Sequence, residues 1–358
     1  MSESSKLACL IAAGGTAGHV RPALAVAEAL RERGVAVTFA GSRGLVESRL
    51  VPEAGFELDT FDVSGFPRRL GLGLVRSVVR AIRAPFACLR ILRRRNPDVV
   101  LGAGGYVAGP MVLAARLRGI PAALTEADAH LGLANRLGAP FAKTVFLAYD
   151  VPGREGSKYR VVGRPIPKAH LGASRDEGRA RFGLPGDQPV LAIFGGLAGA
   201  TALNELAVAT YAQQGPAVLH IAGERDYTAL RPRVERTDYV LLATTDHFGE
   251  ALAVADLALS RAGGTVWELA AAGTPAILVP YPYATSDHQA LNARFFGEGG
   301  GAVVVREEEL ASVPALVDEL LADPRRLERM SDSMRALARP EAAVEIADEL
   351  VRLALERK

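Results

Sequence analysis

The sequence predicts two doubly wound α/β domains, and three observations carry that expectation. In each half, apolar runs of strand length lead into paired glycines and then a helical stretch. Leu7–Ala13 runs into Gly14-Gly15, Asp98–Leu101 into Gly102 to Gly105, Pro189–Phe194 into Gly195-Gly196, and Leu257–Leu259 toward Gly263-Gly264. Between the halves, Gly163-Arg164-Pro165-Ile166-Pro167 follows a strand, and its two prolines stop regular structure. At 358 residues the chain is long for one domain and comfortable for two. The expected division is an N-terminal domain over 1–163, joined by a C-terminal helix over 341–358, and a second domain over 164–340.

Hydrophobic residues make up 49% and charged residues 23%, which favours sizeable cores over disorder. A net charge of +2 gives no general case for nucleic acid. Cys9 and Cys88 sit in apolar surroundings without CxxC or Cys/His spacing, which argues for a reducing compartment and against a zinc site or disulfide framework. The polar start runs directly into a strand, so no secretory signal is expected. No apolar run reaches bilayer length, so any membrane contact is expected to be peripheral.

In chain order, the Gly14-Gly15-Thr16-Ala17-Gly18-His19 turn precedes a helix expected over Pro22–Arg33, with proline near its first turn. The glycines lack dinucleotide spacing, the next strand (Val35–Ala40) ends without an acid for a ribose, and no Gly-Lys-Ser/Thr follows. What remains is a phosphate or pyrophosphate cradle of another kind, with His19 as either a helix cap or a functional group. From Phe66 to Arg95 come nine arginines and no acid. Leu74, Val75, Val78, Val79, Ile82 and Phe86 recur there at helical spacing, with Arg76, Arg80 and Arg83 interleaved. Against a balanced chain this favours an interfacial membrane patch over a core helix with a solvated basic face. An RNA-binding stripe is the other reading, although aromatic stacking residues are scarce here.

The strand Asp98–Leu101 and its glycine turn lead to a helix from about Gly109 to Arg118. A strand over Pro121–Thr125, a polar loop Glu126–His130, a helix over Leu131–Leu137 and strands at Lys143–Ala148 and Tyr159–Val162 complete the first half. The second half repeats the plan with a strand at Pro189–Phe194, a helix at Thr201–Ala212, strands at Ala217–Ala222 and Tyr239–Ala243, and a short helix at Phe248–Val254. Leu257–Asn292 then reads as strand, Gly263-Gly264 turn, helix with Glu268 near its start, strand Ala276–Val279, and a polar loop holding Asp287, His288 and Gln289. A glycine turn feeding a helix suits a phosphate, a carboxylate one turn further suits a ribose diol, and an Asp/Gln pair suits sugar hydroxyls. A nucleotide-sugar pocket and an ordinary βαβ unit both fit this stretch. Amphipathic helices at Ser312–Leu321, Pro324–Leu337 and Glu341–Arg357 close the chain.

GGTAGH at 14–19, GGY at 104–106, GLANR at 132–136, SRAGGTVWELAAAG at 260–273 and DHQALNA at 287–293 resemble the MurG family over nearly the whole chain. These are bacterial GT-B glycosyltransferases, whose two Rossmann-like domains face a cleft. They move N-acetylglucosamine from UDP-GlcNAc onto lipid I at the cytoplasmic face of the cell membrane, making lipid II. The resemblance implies that Gly14, Gly15, Thr16, Gly18, Gly104, Gly105 and Tyr106 cradle the acceptor's pyrophosphate, with His19 and Asn135 nearby. On the donor side it implies Glu268 at the ribose, Gln289 with Asp287 at the GlcNAc hydroxyls, Asn292 in the same motif, and Arg261, Gly263, Gly264 and Thr265 near the diphosphate. It also implies that Gly195, Gly196 and Gly199 flank the donor, that the backbone around Thr245 reads uracil, and that the basic apolar segment around 70–86 meets the membrane.

The sequence departs from the family pattern in places. The usual GGSQGA turn is Gly195-Gly196-Leu197-Ala198-Gly199-Ala200, and the usual HEQN is Thr125-Glu126-Ala127-Asp128. The turn before Glu268 is one residue shorter, and Pro167 takes the place of a basic residue for which Arg164 is the expected substitute. The resemblance implies an inverting transfer, and as no Asp-x-Asp pair is present it is expected to proceed without metal or cofactor, UDP-GlcNAc being a substrate. His19 and Glu126 are the candidate bases, His19 favoured because its glycine turn should hold it at the cleft floor. Alternatives are a GT-B transferase with another acceptor or UDP-sugar, a UDP-GlcNAc epimerase, and a non-catalytic nucleotide-binding scaffold.

Overall fold

The structure, a computed structural model, describes the backbone of residues 6–63, 72–196, 199–284 and 287–357, with their side chains except at 72–82. It divides into two compact units, Met1–Pro167 with Pro340–Lys358, and Lys168–Arg339.

The N-terminal unit holds strands β1 (Ala8–Ala12), β2 (Ala36–Ser42), β3 (Glu57–Phe61), β4 (Val99–Gly102), β5 (Ala122–Glu126), β6 (Thr144–Leu147) and β7 (Tyr159–Val161). They form one parallel sheet in the order β3-β2-β1-β4-β5-β6-β7. Its helices are α1 (Ala17–Glu32), α2 (Glu47–Glu53), α3 (Leu72–Arg95), α4 (Ala108–Leu117) and α5 (Leu133–Gly138). Successive strand residues face opposite sides of a sheet. Cys9, Ile11, Val99 and Leu101 accordingly join one core with Val26 and Leu30 of α1, while Leu10, Ala12 and Val100 join the other with Leu92, Met111 and Val112.

The C-terminal unit holds α6 (Arg175–Phe182), α7 (Thr201–Tyr211), α8 (Glu224–Leu230), α9 (Phe248–Val254), α10 (Thr265–Ala272), α11 (His288–Glu298), α12 (Val313–Leu321) and α13 (Pro324–Leu337). Its strands β8 (Val190–Phe194), β9 (Ala217–Ile221), β10 (Tyr239–Leu242), β11 (Leu257–Ser260), β12 (Ala276–Leu278) and β13 (Ala302–Val304) form a parallel sheet ordered β10-β9-β8-β11-β12-β13. The last helix, α14 (Ala342–Leu355), belongs to the N-terminal unit. Ile346, Leu350 and Leu353 enter the core beside α1, and Arg33 pairs with Asp348 at 2.6 Å. Both units are therefore Rossmann-like, and each reverses its strand order once, between β1 and β4 and between β8 and β11. Ligands of open α/β sheets bind at the carboxyl ends of strands beside such a reversal.

Several local expectations are corrected. α1 starts at Ala17, so Pro22 lies inside the helix and His19 sits in its first turn, not in a loop. α2, β3, α6, α8 and β13 were not expected, and the supposed loop at 287–289 is the start of α11. That segment is helical because Asn292, Ala293 and Phe296 are fully buried at helical spacing.

Among the described residues no helix is long and apolar enough to cross a membrane. The backbone of the arginine-rich segment is helical from Leu72, while the side chains of Leu74, Val75, Arg76, Val78, Val79, Arg80 and Ile82 lie outside the described ones. Further along, Arg83 is exposed and Phe86 is 69% exposed. The run is not one uniform patch, since Arg94 and Arg95 both pair with the buried Asp59. Burial would raise the Asp59 carboxyl, but the Arg95 and Arg94 hydrogen bonds outweigh it and hold it below the usual range. Cys9 and Cys88 are buried free thiols, and burial pushes Cys88 up to about 12, which leaves it unreactive at neutral pH.

Candidate active site

In the N-terminal unit, neighbouring strands β1 and β4 bring the turns at Gly14-Gly15 and Gly104-Gly105 together at the reversal of strand order. Gly15, Gly104 and Gly105 have φ of 93°, 89° and 72°, values that side-chain-bearing residues rarely adopt. A Cβ on Gly105 would collide with Gly14 O, and one on Gly104 with the imidazole of His19. The two turns thus pack backbone against backbone, and His19 lies across Gly104 with Nδ1 3.2 Å from Thr16 Oγ1. Thr16, Gly18 and Tyr106 are exposed beside it, Tyr106 by 51%.

The turn rests on Glu47, a residue the sequence did not single out. Its carboxylate is fully buried and accepts from Ser42 N at 2.8 Å and Gly15 N at 3.1 Å. One oxygen fills the space where a Cβ on Gly14 would stand. Gly15 N–H therefore holds the turn together, and the amides a phosphate would meet are those opening α1. No local signal marks Glu47, because the glycine turn it supports is 32 positions away.

Glu126, expected as an alternative base, is engaged differently. It is 5% exposed and accepts from Ala127 N, Asp128 N, Gly132 N and Asn135 Nδ2 at 2.9–3.3 Å. Burial pushes its carboxyl above the usual range, while the Gly132 and Asn135 bonds pull it down. A carboxylate has about four lone-pair sites, so these donors leave little capacity for a substrate. Glu126 shapes the 126–132 loop. Asn135, 3% exposed, also donates to Thr125 O, so it acts on this loop as well.

In the C-terminal unit, adjacent β8 and β11 bring the Gly195-Gly196 and Gly263-Gly264 turns to that sheet's reversal. Leu197 and Ala198 lie outside the described residues. Gly199, at φ 72°, bonds back to Gly196 O at 3.0 Å, and a Cβ there would collide with Ala222 O. α10 follows the second turn directly. Trp267 anchors it in the core edge-on to Phe296 at 5.3 Å, which turns the next residue, Glu268, out of the core. Glu268 Oε1 meets His170 Nδ1 at 2.8 Å. Gln289 Oε1 accepts from Tyr281 N at 2.9 Å, and Asp287 stands exposed at the start of α11 with φ 54°. Thr245 Oγ1 accepts from His247 N in the loop after β10.

Three residues expected at the donor are committed elsewhere. Arg261 is 8% exposed, donates to Val279 O and Pro280 O, pairs with Glu307 and lies under the Tyr281 ring, so its charge is already compensated. Asn292 is fully buried and donates to Ala262 O, which braces the Gly263-Gly264 turn from behind. Arg164 lies in the N-terminal unit, donating to Gly18 O at 2.5 Å and Ala127 O at 3.2 Å.

The Glycosyltransferase family 28 N-terminal domain matches residues 9–147 and its C-terminal domain residues 190–347. A transferase of Acidithiobacillus ferrooxidans is 42% identical over 94% of this chain and 95% of its own. One of Halothermothrix orenii is 38% identical over 91% of this chain and 94% of its own. Both are named UDP-N-acetylglucosamine–N-acetylmuramyl-(pentapeptide) pyrophosphoryl-undecaprenol N-acetylglucosamine transferase. Among solved structures, Acinetobacter baumannii MurG matches with a TM-score of 0.77 and 30% identity, over 97% of this chain and 99% of that one. The chain belongs to glycosyltransferase family 28, and within it to the MurG family.

Proposed function

We propose that this chain transfers N-acetylglucosamine from UDP-GlcNAc to the MurNAc 4-hydroxyl of undecaprenyl-pyrophosphoryl-MurNAc-pentapeptide, giving lipid II for peptidoglycan. The observation that carries the reading is the junction of two glycine turns with His19 laid across Gly104, in a chain whose relatives bear that activity in their names. The turns and the opening of α1 receive the acceptor's pyrophosphate. In the C-terminal unit, Glu268 takes the ribose hydroxyls, the Asp287 and Gln289 region takes the sugar, and the loop at Thr245 takes the base.

The acceptor oxygen attacks the anomeric carbon, the bond to UDP breaks with inversion, and His19 receives the hydroxyl proton. With Arg164 and Arg261 committed to backbone carbonyls, the leaving diphosphate is stabilised by the helix starts after the C-terminal glycine turns, without a metal. Transfer takes place at the cytoplasmic face of the membrane, which α3 meets peripherally through Phe86 and its basic side chains.

Separate His19→Ala and Glu126→Gln variants, assayed with UDP-GlcNAc and lipid I, test the assignment. His19→Ala is expected to lower kcat about 100-fold or more, in the range of general-base loss. Glu126→Gln, which keeps the side chain's shape, is expected to reduce kcat far less. Near-full kcat in His19→Ala would remove His19 as the base.

A further inference from the structure

Glu268 does not stand alone at the start of α10. Its Oε1 is 2.8 Å from His170 Nδ1, and both side chains are largely shielded, 13% and 11% exposed. His170 ends a short 3-10 turn, Lys168–His170, the first structure of the C-terminal unit after the two linker prolines.

Three contacts fix the imidazole. The backbone of the turn lies directly on α9, where a Cβ on Gly249 would come within 2.7 Å of Ala169 O and 2.8 Å of His170 Cα. The His170 ring packs on Phe248 at 5.5 Å, and Phe248 in turn meets Phe194, the last residue of β8, edge-on at 5.3 Å. The imidazole is therefore pinned by ring packing on one side and committed to the carboxylate on the other.

The geometry points to His170 as a positioning residue for the ribose-binding carboxylate. This rests on the reading of Glu268 as the ribose contact. A free glutamate has three rotatable bonds and loses that freedom when it engages a ligand. With Glu268 ionised, His170 Nδ1 carries the proton and donates to Oε1. That bond uses one lone pair and leaves the others for two vicinal hydroxyls. The freedom is lost on folding rather than on donor binding, so the effect falls on donor affinity. His170 touches neither substrate nor reacting atoms.

The test uses the full chain, with steady-state kinetics on UDP-GlcNAc and on its 2′-deoxy and 3′-deoxy ribose analogues. His170→Phe keeps a ring against Phe248 and removes the donor, whereas His170→Asn keeps a donor in a smaller side chain. His170→Phe should raise the UDP-GlcNAc KM about tenfold, the scale of one hydrogen bond to a charged group, with kcat and acceptor KM within about twofold. His170→Asn should recover much of that loss. On the 2′-deoxy and 3′-deoxy analogues, each lacking one of the two hydroxyls Glu268 reads, the His170→Phe penalty should be smaller than on UDP-GlcNAc.

If wild type discriminates against a deoxy donor yet His170→Phe leaves the UDP-GlcNAc KM unchanged, the positioning role is overturned while the ribose assignment stands. An equal penalty on all three donors would also overturn it, since a general structural effect does not distinguish them. If wild type and Glu268→Gln treat all three donors alike, the ribose assignment itself fails and takes the positioning role with it.

Discussion

Arg164 gives Gly18 the hydrogen bond that the helix itself withholds. Pro22 sits inside α1 and has no N–H, so Gly18 O has no i+4 donor and instead accepts from Arg164 Nη2 at 2.5 Å. The same guanidinium reaches Ala127 O at 3.2 Å, so one side chain ties the opening of α1 to the loop shaped by Glu126.

Replacing Arg164 with Met should therefore destabilise the fold by about 2–4 kcal/mol, because two carbonyls lose a charged donor in a largely buried site. Pro22→Ala restores an N–H within reach of Gly18 O. In the Arg164→Met background it should recover roughly 1 kcal/mol, though in wild type it gains little. Denaturant unfolding of the four proteins of this cycle measures the coupling. Strict additivity would mean that Arg164 is not the substitute donor.

The history of that contact explains what could be read from the sequence and what could not. The four strand–glycine–helix units were legible because parallel strands buried on both faces read as unbroken apolar runs, as Val190–Phe194 does. The glycines were legible because Gly15, Gly104 and Gly105 hold φ of 72–93° and a Cβ on Gly105 would strike Gly14 O. The start of α1 is not legible, because proline favours the first helical position and its tolerance deeper in the helix depends on an arginine 146 positions from Gly18. Glu47 and His170 carry no local signal for the same reason, since the bonds that give them their roles reach Gly15 and Glu268, 32 and 98 positions away. α11 is legible in the sequence, because Asn292, Ala293 and Phe296 show helical spacing.

The basic face of α3 makes a prediction about surfaces. Arg94 and Arg95 are tied to Asp59, whereas Arg83 and Phe86 are exposed away from that pairing and offer a charge and an apolar side chain to a membrane. Reversing Arg83 to Glu and replacing Phe86 with Ser should weaken binding to anionic liposomes by about tenfold or more, at roughly 1 kcal/mol per basic residue plus the lost apolar insertion. Sedimentation with vesicles at low and high salt measures this, and the wild-type affinity should itself fall with salt. Thermal stability should stay nearly unchanged, because neither side chain lies in the core. Equal binding by variant and wild type would remove α3 as the membrane face.

A pH dependence follows from His220 in β9. It is fully buried, with Nδ1 2.9 Å from Tyr239 Oη and Nε2 2.9 Å from Asn204 Oδ1. Burial pulls its imidazole down from 6.5 to about 4, so the folded protein holds it neutral at the pH where the unfolded chain protonates it. Unfolding then takes up a proton between those values. Stability is fully present above about pH 6.5 and falls as pH drops toward 4, by roughly 3 kcal/mol in all at 1.36 kcal/mol per unit. Asp226, reached through Asn204, does not titrate in this window, because the Arg225 hydrogen bond holds it at about 2. Urea unfolding at pH 7.5, 6.5, 5.5 and 4.5, compared with His220→Gln, isolates the effect, since carboxylates elsewhere contribute alike to both proteins. The wild-type curve should lose stability faster on acidification than the variant, with the gap between them closing toward pH 4.5. Parallel curves would show that His220 is protonated within the fold and that its two hydrogen bonds survive the charge.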